Sequence, residues 1–423
     1  MSIAAVSICS GNYIAKAIVL AQSYHEHHPD HQFYLVIADR KREDLPREVG
    51  EVEIWWAEDL GIPKLLQYAF MYDIIEFNTN IKPFVLERLL EIHTTVIYLD
   101  PDINVYAPID PVFEALERAS FVVTPHYVTP LLDGYKPDDL DLLRFGSFNL
   151  GFIGIRRCSE SMQFLRWWGD RCFEFGFYEP PTGLAVDQKW VNLAPCFFPE
   201  MRIVADLGLN VAFWNLHERN LSKKGMAWVV NDLVPLRFIH FSSFDFSHPE
   251  NVGEKQDRFA PGSRPDFEVL ARDYAVKLGQ QERIFSTQTP YGYDCFSDGA
   301  RISPALRRCY AGLRQKGCFA EVEDPFDALG QVRLFAKKGG LLIRGNRAQR
   351  RLTFRDLQSF GAQVKAIHIL LRLLLYVFGP IRYGNLMRYM GHISSIRHQA
   401  GMFAEADSVA REKTLELPGT GRT

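Results

Sequence analysis

The chain has 423 residues, 47% of them hydrophobic and 23% charged, with a formal net charge of −3. This excludes a disordered, collagenous or low-complexity chain and leaves room for two or three domains around a large core. Seven scattered cysteines, odd in number and without a CxxC pair, argue against a zinc site or a disulfide framework and for reduced thiols in a cytosolic protein.

In chain order, Ser2 to Cys9 is predicted as a buried strand. The turn Ser10-Gly11-Asn12, a helix over Tyr13 to His27 and a second strand over Phe33 to Ala38, closed by Asp39, follow it. Strand, helix, strand is the signal of a parallel α/β sheet. Val52 to Trp56 is a third strand, and Lys64 to Phe77 and Lys82 to His93 have helical spacing. Val96 to Leu99 is a short apolar strand that delivers Asp100-Pro101-Asp102. Strands follow over Phe121 to Thr124 and Phe148 to Ile155, the latter holding Gly151 and Gly154. Ser159 to Phe175 is amphipathic, Asp187-Gln188 opens a short helix, and Asn210 to Trp214 and Leu236 to Phe241 are strands. No internal repeat is visible. The N-terminus lacks the basic region and long apolar core of a signal peptide. No run reaches the roughly 20 apolar residues of a membrane span. The nearest, Ala366 to Phe378, is short and interrupted by His368 and Arg372.

Three parts are expected: a catalytic domain over 1–250, a helical extension over 251–330 and a basic, amphipathic helical region over 331–423. Between Gln331 and His398 thirteen Lys and Arg face the single acid Asp356. That is a net +12, which leaves −15 for the remainder of a chain whose total is −3.

Asp100 and Asp102 end a buried strand, where α/β sheets place their ligands. Pro101 cannot donate to a ladder, so the strand stops and two hard oxygen donors face one crevice, a pairing that suits Mg²⁺ or Mn²⁺ carrying a substrate phosphate. An Asp-x-Asp after a strand is also a common polar turn. Asn12 and Asp39 fall at the mouth of the same crevice, where a base and ribose would bind. Lys82 precedes the acidic strand within reach of a phosphate or sugar hydroxyl, or it is a solvated helix-end charge. Asn149 and Gly151 lie on a later strand, and Asn149 admits a purely local pairing with backbone. Asp187 and Gln188 would present polar groups to a sugar, or Asp187 caps the helix it opens. His240 ends the last strand as a third ligand for Mn²⁺ or as a satisfied core histidine. The run from Trp214 to Arg219 reads as an acceptor groove or a surface loop.

In this order the motifs resemble the GT-A-fold glycosyltransferases of family 8, over residues 1 to about 250. The matching pieces are the polar turn Ser10 to Tyr13, a basic residue upstream of the acidic strand, Tyr98-Leu99-Asp100-Pro101-Asp102, Phe148-Asn149-Leu150-Gly151, Asp187-Gln188 and the late His240. The resemblance implies a Rossmann-like, mixed and mostly parallel sheet flanked by helices, with a helical C-terminal extension. It implies a divalent-metal-dependent transfer of a sugar from a nucleotide sugar, most often a UDP-sugar, with retention of configuration. Asp100, Asp102 and His240 would hold the metal, Lys82, Asn149, Asp187 and Gln188 the donor sugar and its phosphates, and Gln188 would lie near the reacting carbon. The family's Lys-Pro-Trp run after the histidine is missing, since the chain reads His240-Phe241-Ser242-Ser243-Phe244. Lys255 or a residue of the extension is the available substitute.

Two other classes remain beside this one: a nucleotidyltransferase on a similar sheet, against which the absence of a basic, Gly-rich loop after the first strand argues, and a catalytically inactive carbohydrate-binding relative. For the basic region over 331–398 the expected partner is an anionic membrane surface, because Ile367 to Phe378 is too apolar for a phosphate-binding face. Nucleic acid is disfavoured on the same ground, and a core helix is the structural alternative. The expectation is a cytoplasmic enzyme docked at the inner face of a membrane, near a glycan or lipid-linked acceptor.

Overall fold

The computed structural model describes residues 2–43, 45, 47–285, 290–343 and 361–404. The chain divides into two compact units, Met1–Tyr293 and Asp294–Thr423.

The first unit is built on β1 (Ile3–Cys9), α1 (Ile14–His27), β2 (Gln32–Ile37), β3 (Glu48–Val49), β4 (Val52–Trp56), α2 (Leu65–Met71), α3 (Ile74–Asn80), α4 (Lys82–Ile92), β5 (Thr95–Leu99), β6 (Ile103–Val105), α5 (Asp110–Leu116), β7 (Phe121–Pro125), α6 (Asp139–Phe145), β8 (Phe148–Arg156) and α7 (Ser159–Phe175). The short pieces β9 (Tyr178–Glu179), β10 (Leu184–Ala185), α8 (Gln188–Val191), α9 (Ala194–Phe197) and β11 (Arg202–Ile203) follow. The unit closes with β12 (Leu221–Lys224), β13 (Ala227–Val230), β14 (Val234–Pro235), β15 (Phe238–His240) and α10 (Pro265–Glu282). Eight strands form one sheet in the order β11-β7-β8-β5-β1-β2-β4-β3. The β5–β1, β1–β2, β2–β4 and β11–β7 pairings are parallel, while β8 runs antiparallel to both β5 and β7 and β3 antiparallel to β4. This is the mixed, mostly parallel α/β class expected. Its central strands read as unbroken apolar runs because helices cover both faces, and β5 is buried at all its positions.

Two predicted elements differ. The helix expected over Lys64 to Phe77 breaks at Tyr72, because Asp73 accepts the Glu76 N–H and Glu76 returns the bond to the Asp73 N–H, a capping box that starts a new helix. The segment from Asn210 to Trp214 is not a strand: it makes one parallel bridge, Val211 to Ile239, and turns. The first unit also runs beyond 250. Phe267, Leu270, Ala271, Tyr274 and Leu278 recur at helical spacing on α10 and are buried in one cluster with Ala15 and Val19 of α1 and with Val211, Phe213 and Trp214.

In the second unit, α11 (Pro304–Arg314) and α12 (Gln331–Lys338) are followed by a helix over Gly361–His392. Gly379 has a left-handed φ of 72° and precedes Pro380, so the backbone kinks there. This helix corrects the expectation that no segment is long and apolar enough to cross a membrane. The sequence reading stopped the run at its charged residues, but the helix continues through them and meets the requirement of length and composition. The basic stretch over 344–360 and the tail from 405 lie outside the described residues.

Candidate active site

β5 ends where its ladder does. The Asp100 N–H still donates to Gly151 O on β8 (2.8 Å), and the Ile103 N–H then closes a turn on Asp100 O (3.1 Å). The chain leaves the sheet as β6, which pairs antiparallel with β15 in the register Ile103–His240. That pairing brings a residue 138 positions downstream beside the acidic turn, and the Phe241 N–H donates to Asp102 O at 2.8 Å. His240 Nε2 lies 3.0 Å from Asp102 Oδ1 and 3.7 Å from Asp100 Oδ2. One ligand atom from each of the three residues lies within 4.8 Å of the others. The imidazole is 4% exposed, whereas the Asp100 and Asp102 side chains are 26% and 18% exposed, so the corner opens on its carboxylate side. Burial lowers the His240 pKa, but the facing Asp102 and Asp100 carboxylates outweigh it and raise the value overall. Burial likewise raises Asp102, and the facing imidazole more than reverses it, bringing the acid down to about 2. Two carboxylate oxygens and an imidazole nitrogen form a donor set that fits Mn²⁺ or Mg²⁺, Mn²⁺ accepting the nitrogen more readily.

The histidine is fixed from behind. Its Nδ1 meets Asn149 Oδ1 at 3.2 Å. The same oxygen accepts the Gly151 N–H (3.2 Å) and Asn210 Nδ2 (3.0 Å). With three donors converging on it, that atom is the carbonyl oxygen, Nδ1 carries the proton, and Nε2 faces the carboxylates. Asn210 also donates to Thr124 Oγ1 (2.8 Å), and the Trp214 ring stands nearly perpendicular to the imidazole at 5.2 Å. His126, driven down to about 4 by burial, is neutral beside Asn149 Nδ2 at 3.5 Å.

The other candidates form a second group on β8. Lys82 opens α4 and is 1% exposed. Its ammonium donates to Leu150 O (2.7 Å) and Asp187 Oδ2 (2.8 Å) and lies 4.2 Å from the Tyr98 ring centroid. Asp187 makes no capping bond to α8. Its backbone is pinned by Trp168 Nε1 at 2.9 Å, and burial raises its pKa against the pull of Lys82. Gln188 Oε1 accepts the Leu150 N–H (3.1 Å) and its Nε2 donates to Phe145 O (3.0 Å). Lys82 and Gln188 thus hold the two sides of one residue, Leu150, beside Asn149.

At the carboxyl end of β1, Asn12 Oδ1 accepts from Ser10 Oγ at 2.7 Å. Asp39 is 2% exposed, and its Oδ1 takes the N–H groups of Gly292 (2.7 Å) and Arg40 (2.8 Å). Burial raises its pKa and these backbone donors oppose the rise. The segment from Tyr291 to Tyr293 therefore lies against the end of β2, and Arg40 Nε donates back to Gly292 O at 3.3 Å. The stretch after Trp214 is not an open groove throughout: Asn215 and Arg219 are buried, and Asn215 Nδ2 donates to His126 O and Asn210 O.

No family model matches the chain. It is 27% identical over 246 residues to the uncharacterized protein YfnD of Bacillus subtilis, spanning 56% of this chain and 76% of that protein. It is 24% identical over 254 residues to YfnF of the same organism, spanning 58% and 82%. Among solved structures it is similar to the galactosyltransferase LgtC in complex with donor and acceptor sugar analogs, with 14% identity, a TM-score of 0.40, and 66% and 95% of the two chains covered. It is similar to the glycosyltransferase GlyE of Streptococcus pneumoniae TIGR4 (15%, TM-score 0.38, 70% and 67%) and to the bifunctional glycosyltransferase WbbM (12%, TM-score 0.38, 66% and 51%). At such scores these similarities carry no argument about activity, and the fold class rests on the sheet itself.

Sequence reasoning missed Tyr98, whose hydroxyl donates to Asp100 Oδ1 at 2.6 Å, along with Asn210 and His126. Tyr98 carried a signal, since side chains two apart on a strand share a face. Asn210 carried none, because only the Val211–Ile239 bridge to β15 brings it there, whereas His126 follows from the pairing of β7 with β8, its N–H donating to Ser147 O.

Proposed function

We propose that the protein is a glycosyltransferase that moves a sugar from a nucleotide sugar, a UDP-sugar in the first instance, to a glycan or lipid-linked acceptor with retention of configuration. The observation that carries this reading is the convergence of Asp100, Asp102 and His240 on one point at the carboxyl end of the sheet. A divalent cation held there, Mn²⁺ or Mg²⁺, would neutralise the departing diphosphate as a Lewis acid. The chain's own residues account for the rest. Asn149 holds the His240 tautomer, and Tyr98 orients Asp100. Asp187, tethered by Lys82, sets a negative charge close enough to Asp100 for the two to repel, in a buried place where it stabilises positive charge growing on the sugar ring. Gln188 holds the Leu150 backbone beside Asn149.

The test is donor hydrolysis across a panel of nucleotide sugars with added Mn²⁺. Metal-dependent release of a nucleoside diphosphate, abolished in a folded Asp102→Asn variant, is expected. Release of pyrophosphate would indicate nucleotidyl transfer, and saturable sugar binding without turnover an inactive relative.

For location, the proposal is docking on an anionic membrane through the helix Gly361–His392. Ile369, Leu373, Tyr376, Val377 and Ile381 on it are each more than half exposed, and Lys365, Arg372, Arg382 and Arg388 are interleaved among them. Flotation of the full chain with anionic but not zwitterionic vesicles, lost on exchanging Ile369, Leu373 and Val377 for Ser, tests it. Equal flotation of both proteins contradicts it.

A further inference from the structure

The helix Gly361–His392 offers more than a general affinity for an anionic surface. Its first arm, from Gly361 to Phe378, holds no acidic residue, and its Lys and Arg are Lys365 and Arg372. At about 100° per residue, Lys365, His368 and Arg372 fall within about 60° of one another around the axis. Ile367, Leu370, Leu373 and Leu375, all exposed, fall in the other directions. The arm is an apolar rod with one narrow basic stripe. No single protein face covers side chains that point in so many directions, whereas lipid surrounds a helix.

The stripe lies in a cleft. A hollow of about 550 Å³ is lined by its three basic side chains, by Ile369, Leu371 and Leu375, and by Tyr383. In a straight helix Tyr383 would stand about 27 Å from Lys365 along the axis, at roughly 1.5 Å per residue. The break at Gly379 and Pro380 turns the second arm, and Tyr383 reaches the same hollow as the residues of the first. Among the described residues, the side chains of Lys365, His368 and Arg372 make no hydrogen bond or ion pair. Cations left unpaired beside apolar walls call for an anion that brings its own hydrocarbon.

We infer that this cleft binds the phosphate headgroup of a membrane lipid, a phosphomonoester, with the first methylenes of the lipid against Ile369, Leu371 and Leu375. The inference deepens the docking reading above by naming the headgroup and the residues that hold it. Charge decides the group. Lys365 and Arg372 supply two positive charges, and a phosphomonoester carries about −1.5 to −2 near neutral pH. A headgroup with a single negative charge leaves one of the two cations unmatched. Arg372 can grip two phosphate oxygens at once while Lys365 acts as a point charge. His368, between them on the stripe, and the Tyr383 hydroxyl across the kink offer further donors.

The experiment measures partition of the full chain onto phosphatidylcholine vesicles that hold either phosphatidic acid or phosphatidylserine, at contents that give both the same zeta potential. The proteins are wild type, Lys365→Gln, Arg372→Gln and Arg388→Gln, the last removing a cation of the same helix that does not line the cleft. Wild type is expected to prefer phosphatidic acid at least about tenfold, the usual worth of a hydrogen bond to a charged group. Lys365→Gln and Arg372→Gln should each remove most of that preference. Arg388→Gln should weaken binding to both vesicles alike, by about fivefold, the share of one cation near an anionic surface, and leave the preference intact. Equal binding of wild type to the two vesicles overturns the inference while leaving general docking in place. A preference kept by both cleft variants overturns it too, because the phosphate is then held elsewhere. Glycerol phosphate that binds the chain without vesicles as tightly as phosphatidic acid does would overturn the lipid assignment in favour of a free phosphate ester. Failure of the wild type to bind either vesicle overturns the docking reading and this inference with it.

Discussion

Gly151 has no side chain because His240 occupies the space: a Cβ built on Gly151 would lie 2.4 Å from His240 Cε1 and 2.7 Å from its Nδ1. The glycine is therefore part of the machinery that seats the imidazole. Gly151→Ala is expected to push the ring away from the acidic turn, weakening Mn²⁺ binding at least tenfold, at a stability cost of about 1–3 kcal/mol from overpacking. A Mn²⁺ titration followed by paramagnetic resonance, with a thermal melt of the same sample, measures both. Unchanged Mn²⁺ affinity in a folded variant would show that His240 is not a ligand.

Lys82 and Asp187 form a salt bridge at 2.8 Å with both side chains 2% exposed. Removing one partner strands the other charge away from water. Lys82→Met alone or Asp187→Leu alone should each cost about 3–5 kcal/mol, while the double variant should cost clearly less than the sum of the two. Urea denaturation of the four proteins closes the cycle. Strict additivity would show that the two charges do not depend on each other.

Much of the sheet was legible because its signal is local. Val96 to Leu99 and Phe148 to Ile155 are apolar runs bounded by turn residues, and the helix over Ser159–Phe175 has a clean amphipathic period. The break at Tyr72 was legible in principle, since Asp73 and Glu76 stand at capping-box spacing, but the apolar period ran across them. The membrane-length helix was obscured by counting charged residues as terminators. The site was legible as a set of residue types in order, whereas its arrangement depends on the pairing of β6 with β15. Nothing in either local sequence announces that contact, nor the Val211–Ile239 bridge that brings in Asn210.

Asp266 ties α10 to the rest of the first unit. Its Oδ2 accepts the Leu221 N–H at 2.9 Å and faces Arg264, whose guanidinium also reaches the carbonyl oxygens of Leu216 and Arg219. Burial raises the Asp266 pKa, but the Arg264 and Leu221 bonds outweigh it and leave the acid below its ordinary value of 3.8. A depressed carboxyl stabilises the fold above its unfolded pKa, and that contribution is lost as pH falls through the folded value. Asp266→Asn should therefore destabilise by about 1–2 kcal/mol at pH 7. The gap to wild type should be constant above about pH 5 and shrink steadily toward pH 3. Chemical denaturation of both proteins across that range measures the gap. A gap that widens on acidification would mean the sign is wrong and the carboxyl is held protonated in the fold.

Asn149 decides which nitrogen of His240 is free. Its Oδ1 takes His240 Nδ1 (3.2 Å), the Gly151 N–H (3.2 Å) and Asn210 Nδ2 (3.0 Å), so the imidazole is locked with Nε2 toward Asp102. Loss of such an outer partner typically lowers metal affinity about 10–100-fold. Asn149→Ala is expected to fall in that range for Mn²⁺, with its far-ultraviolet circular dichroism unchanged. Asn149→Asp keeps the acceptor and should retain most of the affinity. Nuclear magnetic resonance of ¹⁵N-labelled histidine adds the decisive readout, because wild type should show the Nδ1–H tautomer at His240 at a pH high enough to deprotonate it, and Asn149→Ala a mixture. A folded Asn149→Ala protein that keeps both the tautomer and the Mn²⁺ affinity would show that the ring is held by packing against Trp214 alone.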